Sequence, residues 1–209
     1  MQKSAWLSPT STDVIMNIPE YNKKLGEVIN DLKGDYNAKI MLGIGIEAIR
    51  MIKTRVIETG INAEGAKFKG YSTKPMLVGC KPLPKDKCAM IFGSKQKRKE
   101  LEWRTVNGHR LAILPGGYKQ WRQIYGVQTD HVDFSVTNNM WNDINIISKQ
   151  GDHQNGVAII GAKQEIEKKK LAGNTKRRGD ILDLNAKEIE DLKLTYNVGV
   201  LQIFRNNGL

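Results

Sequence analysis

Cysteine and histidine are scarce in this chain, two and three among 209 residues. Cys80 and Cys88 fall in the stretch GCKPLPKDKC with no second His or Cys pair nearby at ligand spacing, which argues against structural zinc. Long apolar runs are missing too. No stretch suffices to span a bilayer, and MQKSAWLSPTSTDV at the N-terminus holds no apolar run of signal-peptide length. These absences favour a cytosol-like compartment with no membrane partner, in which a disulfide is disfavoured and free thiols are expected. Phosphate-binding signatures are absent as well. Neither Gly43-Ile44-Gly45 nor Gly116-Gly117 belongs to a GxxxxGK[ST] or GxGxxG pattern. No serine or cysteine lies in a nucleophile-elbow context. The expectation is a protein without a cofactor that is not an enzyme.

What is present is positive charge. The formal net charge is +11, which favours an acidic partner: nucleic acid, an acidic protein surface or anionic lipid. With 40% hydrophobic and 26% charged residues, a packed core is expected rather than disorder. Two basic clusters stand out: Lys95, Lys97, Arg98 and Lys99 with Arg104, and Lys168 to Lys170 with Lys176, Arg177 and Arg178. Either suits sequence-blind phosphate contacts or an acidic protein partner. Aromatics are not interleaved with them, which argues against a single-strand stacking platform.

The spacing divides the chain into an extended arm over 1–16, carrying Trp6, a core over 17–196, and a C-terminal arm or edge strand over 197–209. A first helix starts near Pro19 and stops at Gly34; a second covers about Tyr36 to Thr59 and stops at Gly60. Gly43 and Gly45 either weaken that helix or permit close approach of a neighbouring backbone. Residues 62–100 read as a long loop or projecting arm, the first part of a basic loop and hairpin insertion reaching about 114. Asn107-Gly108 predicts a hairpin between LEWRTV and RLAIL. Tyr118, Trp121 and Tyr125 share one face of a short helix closed by Gly126, and His131 to Thr137 alternates as a strand. Met140 to Ile147 begins helical and ends as strand. Gly151 to Gly156 is a turn, and Val157 to Ile160 a short strand. Glu165 to Leu171 is a brief charged helix followed by a basic loop, AGNTKRRGD. Asn185 and Glu188 have capping-box spacing at the start of a last helix.

Chemistry is best sought at TDHVDF, where Asp130, His131 and Asp133 could serve a metal-dependent nuclease. No further carboxylates converge on it from elsewhere. The preferred reading has Asp130 capping a turn and Asp133 facing solvent or a partner.

Three blocks carry a family resemblance. The first, IRMIKTRVIETGINAEGAKFKGYSTKP, ends a long helix in an arginine and continues into Gly65, Phe68, Tyr71 and Ser72. The second is GGYKQWRQIYGVQTDHVDFSVTNNMWNDI, and the third AGNTKRRGDILDLNAKEIEDL. In this order they resemble the virion morphogenesis and tail-completion proteins of tailed bacteriophages, the group that includes small neck and head–tail joining proteins. At the turn before Met140, Thr137-Asn138-Asn139 replaces the group's usual Thr-Gly, and the insertion around 76–114 exceeds its compact core. The resemblance implies an α+β fold, a small antiparallel sheet packed against a long N-terminal helix and a C-terminal helix. It implies a non-enzymatic virion protein in a closed homo-oligomeric ring of about six or twelve copies. Such a ring would meet portal, adaptor and tail proteins and surround the packaged DNA. Trp6, Tyr118, Trp121, Tyr125, Trp141 and Phe204 are then candidate interface anchors, with core packing as their alternative role.

Overall fold

A computed structural model describes residues 18–33, 35–79, 85–94, 99, 101–151 and 156–209. Helices α1 (Ile18–Lys33) and α2 (Asp35–Thr54) lead into one π turn, Arg55–Thr59. Gly60 ends it at φ 65°, its N–H donating to the Val56 carbonyl. The predicted helix boundaries are close to those observed. Then come β1 (Met76–Val78), α3 (Lys85–Phe92), β2 (Trp103–Val106), β3 (His109–Leu114) and α4 (Gly117–Tyr125). Next are α5 (Asn139–Asp143), β4 (Ile144–Gly151), β5 (Gly156–Ala162), α6 (Glu165–Arg178) and α7 (Ala186–Asn206). The fold is α+β, with two small antiparallel sheets, one ordered β1-β3-β2 and one made of β4 and β5.

The second helix organises the larger half. It packs on the β4–β5 hairpin and also on α1 and α7. A Cβ on Gly45 would lie 2.7 Å from Ile146 Cδ1 and 3.3 Å from the Ala158 Cβ, so this glycine permits the close approach of helix and sheet. Gly43 is exposed and meets nothing within 4 Å. The core beneath joins Ile52, Val56, Phe68, Val132, Met140, Trp141, Ile144 and Ile181. A second cluster (Val78, Ile91, Phe92, Ala112, Leu114) holds the three-stranded sheet against α3 and α4. Its hairpin turns at Asn107 and Gly108, with φ 49° and 74°, as Asn-Gly requires.

Five expectations are corrected. Residues 62–100 are not all loop: Met76–Val78 pairs with β3, and α3 turns Ile91 and Phe92 into the second cluster. These apolar runs are short, and the surrounding lysines and turn residues hid them. His131 to Thr137 forms no strand. Its backbone groups are taken by side chains: Asp133 N–H donates to Tyr71 Oη, while the Asp133 and Ser135 carbonyls accept from Trp141 Nε1 and Arg122 Nη1. Phe134 adopts φ 54°. The AGNTKRRGD stretch is helical to Arg178, its terminal cations favourably placed at a helix C-terminus, and Gly179 stops it at φ 91°. Residues 198–206 continue α7 rather than forming an arm or edge strand; Leu192 and Ile203 are buried on its inner face. Cys88 is disulfide-bonded, contrary to the expectation of free thiols, which rested on compartment alone; Cys80 lies outside the described residues. So do Trp6 with the arm over 1–16, Gly34, and most of the Gly151–Gly156 turn.

Candidate assembly surfaces and the buried polar hub

The polar residues quoted from the second block gather inside the molecule. Arg122, on α4, is fully buried. Its Nη2 donates to Asp133 Oδ1 and Oδ2 at 2.9 and 3.0 Å, its Nη1 to the Ser135 carbonyl at 2.5 Å, and its Nε to the Gln128 carbonyl at 3.0 Å. The guanidinium lies 4.2 Å from the centre of the Tyr71 ring. Gln128 Nε2 donates to Asp133 Oδ2 at 2.8 Å, and Tyr71 Oη to Oδ1 at 2.7 Å. Burial, with the Asp133 carboxylate beside it, pushes the Tyr71 phenol well above the ordinary tyrosine range. A second enclosed pair, Arg55 to Glu188 at 2.8 Å, ties the π turn after α2 to the start of α7. Arg55 also donates to the Asp183 and Ile61 carbonyls. Glu188 completes the capping box read from the sequence, accepting from Asn185 N at 2.8 Å.

This arrangement settles the placement of TDHVDF. Asp133 does not face solvent or a partner: it is 5% exposed, and both its oxygens are held by Arg122, with Tyr71, Gln128 and Ser135 N adding further bonds. His131 Nε2 lies 2.7 Å from the Ile57 carbonyl, and Asp130 is exposed. Among the described residues no three His, Cys, Asp or Glu side chains are arranged to hold a metal. Asp133 as the centre of a hub was missed from sequence. The available signal was that Tyr71, Arg122 and Gln128 all lie in the quoted blocks.

The candidate interface residues separate. Trp141 is 2% exposed, with Nε1 donating to the Asp133 carbonyl, so it is core and cannot anchor a partner. Tyr118, Trp121 and Tyr125 are half-buried in an aromatic ladder, Tyr118 stacked on Trp121 at 5.2 Å and Trp121 beside Tyr125 at 4.3 Å. Phe204 is half-buried, and Trp6 lies outside the described residues. Of the basic residues, Lys99, Lys176 and Arg177 are exposed, while Lys95, Lys97 and Arg98 lie outside the described residues. Arg178 turns inward, donating to the Lys69 carbonyl near the Tyr71 and Phe134 rings; burial draws its pKa down. It is therefore spent on the fold.

Two apolar surfaces remain open that the sequence reading did not single out. Ala158 faces α2, so the alternation of β5 turns Val157 and Ile159 to the opposite side, where Ile147 lies over Gly161. All three are about half exposed. Their face adjoins a cleft of about 650 Å³ against α6, lined by Ile147, Gly161, Leu171, Thr175 and Leu182 among others. The second surface is a stripe on α7, Leu194, Val198 and Leu201, with exposures of 63%, 65% and 54%. Their i, i+4, i+7 spacing puts them on one helix face. Comparison with protein-family models, curated proteins and solved structures finds no match to this chain.

Proposed function

We propose that the protein is a structural subunit of an oligomeric ring in the neck of a tailed-bacteriophage virion. There, at the head–tail connector, it completes the tail by protein–protein assembly around the DNA channel. One observation carries the reading: a single chain exposes two different apolar surfaces, the open face of the β4–β5 hairpin and the outer stripe of α7. Exposed apolar patches of this kind mark interaction surfaces. Two unlike patches suit a heterologous contact, which closes into a ring when the rotation between subunits allows. The sequence resemblance to tail-completion proteins supplies the place; portal, adaptor and tail proteins are the proposed neighbours. The test is the mass and shape of the purified chain across a concentration series, by light scattering and negative-stain imaging. Closed rings are expected. A chain that stays monomeric at all concentrations, and is present in one or two copies per particle, sinks the proposal.

A rival reading as a DNA-binding protein draws on the exposed Lys176 and Arg177 at the end of α6 and on the net charge. It requires DNA affinity that falls steeply with salt. DNA binding of that kind by an isolated monomer would favour the rival.

A further inference from the structure

The two-stranded sheet gives β5 one paired edge and one open one. Its partner is β4, and among the described residues no strand pairs along the other side. Exposed edges are usually blunted by lysine, proline or a bulge. β4 carries two of these devices, Lys149 and the register shift between Ile146 and Ser148. β5 carries none: Gly156–Ala162 reads GVAIIGA, without charge or proline. The cleft of about 650 Å³ has Ile160, Gly161 and Ala162 on one wall and Leu171, Thr175 and Lys176 of α6 on the other. Successive strand residues point to opposite faces. Three consecutive lining residues therefore place the cleft along the edge of β5 rather than over one face.

We propose that this edge takes up residues 10–17 of a second copy of the chain as a third strand. The proposal rests on the ring reading and adds backbone pairing to its apolar contacts. The segment, TSTDVIMN, suits strand addition. Thr10, Thr12, Val14 and Ile15 are β-branched, and Pro9, which has no ladder donor, bounds it. Its one charge, Asp13, is opposite in sign to the cleft, where Lys168 and Lys176 outnumber Asp180. Because α6 walls the far side, the cleft leaves room for a lone extended segment rather than the whole hairpin of another copy. The point of attachment favours a neighbour. Residues 1–17 lie outside the described residues and join α1 at Ile18. Ile18 to Lys23 are all exposed, so the first turns of α1 stand clear of the body. Fully extended, the preceding residues reach about 55–60 Å, enough to cross to an adjacent subunit.

The test follows amide hydrogen exchange of the full chain by mass spectrometry, below and above its association midpoint in sedimentation velocity. On assembly, wild type should gain about tenfold or more protection in 156–162 and in 10–17 together. Thr12→Pro with Val14→Pro removes two ladder donors upstream of α1. This variant should lose both gains and associate about tenfold or more weakly, while the dilute monomer melts at the wild-type temperature. Wild-type assembly that leaves 156–162 unprotected overturns the proposal and leaves the ring reading standing. So does protection of 156–162 that survives in the proline variant, which would give the edge to a different occupant. Protection of both segments already complete in the dilute monomer also overturns it, because the strand would then come from the same copy. A wild-type chain that never assembles overturns the ring reading itself, and the proposal with it.

Discussion

At the scale of single residues, enclosed charge dominates. Arg122 and Asp133 are 0% and 5% exposed, and each satisfies the other. Removing one partner strands the second in a dry interior, so Asp133→Ala should cost about 3–5 kcal/mol, measured by urea unfolding. Arg55→Ala should cost a similar amount by stranding Glu188, which would keep only its capping contacts. Tyr71 adds a dependence on alkali. Its phenol titrates higher in the folded chain than in the unfolded one, held neutral by burial and by Asp133. The stability tied to that difference is fully present below about pH 10, the ordinary tyrosine value. It is lost as the pH rises from there towards the folded pKa, because the unfolded state then releases the proton first. Tyr71→Phe should therefore be less stable than wild type at neutral pH, having lost the bonds to Asp133, and should show a shallower loss of stability above pH 10. Parallel curves for the two proteins in denaturant titrations across that range would refute this account.

Elements are placed by close approach as much as by propensity, and α2 shows the difference within three residues. Gly45 lies against Ile146 and Ala158 of the hairpin, whereas Gly43 meets nothing. Gly45→Ala should force the sheet away from the helix, at a cost of about 1–3 kcal/mol. Gly43→Ala should stabilise by about 0.5–1 kcal/mol, since an exposed interior helix position only loses backbone entropy by being glycine. Thermal or urea melts of the two variants should move in opposite directions. The sequence showed both glycines and both possible roles without telling them apart, because the partner strand is a hundred residues away. Legibility follows the same line elsewhere. The capping box at Asn185, the Asn107-Gly108 turn and the closures at Gly60 and Gly126 were readable because their chemistry is local. His131 to Thr137 misled because its alternation is real but its backbone partners are side chains distant in sequence, Tyr71 among them. The tail from Val198 misled because Val198 and Val200, and then Leu201 and Ile203, alternate as readily as they fit turns of a helix. At the candidate site, the individual aromatics were visible in the sequence but Trp141's enclosure was not. The two open apolar surfaces arise only when β5 alternates over α2 and α7 runs to Asn206.

For the whole molecule, the two apolar surfaces make a prediction about the kind of contact as well as its existence. Val157, Ile159, Leu194 and Val198 are all well exposed, so charged substitutions there should change the monomer's stability by no more than about 0.5 kcal/mol. Val157→Lys with Ile159→Lys disables the hairpin face. Leu194→Glu with Val198→Glu disables the α7 stripe. Each double variant alone should remain monomeric in sedimentation velocity where wild type forms rings. If the hairpin face of one copy meets the α7 stripe of the next, the two variants mixed together still share one intact junction: the unmodified hairpin of one and the unmodified stripe of the other. The mixture should give heterodimers and stop there, because the opposite ends carry the damaged surfaces. An isologous contact behaves differently, since a face that pairs with its own copy cannot be rescued by a variant damaged elsewhere without also forming homodimers. Heterodimers in the mixture, with neither variant dimerising alone, would establish a head-to-tail interface; homodimers of either variant would exclude it for that pair of surfaces.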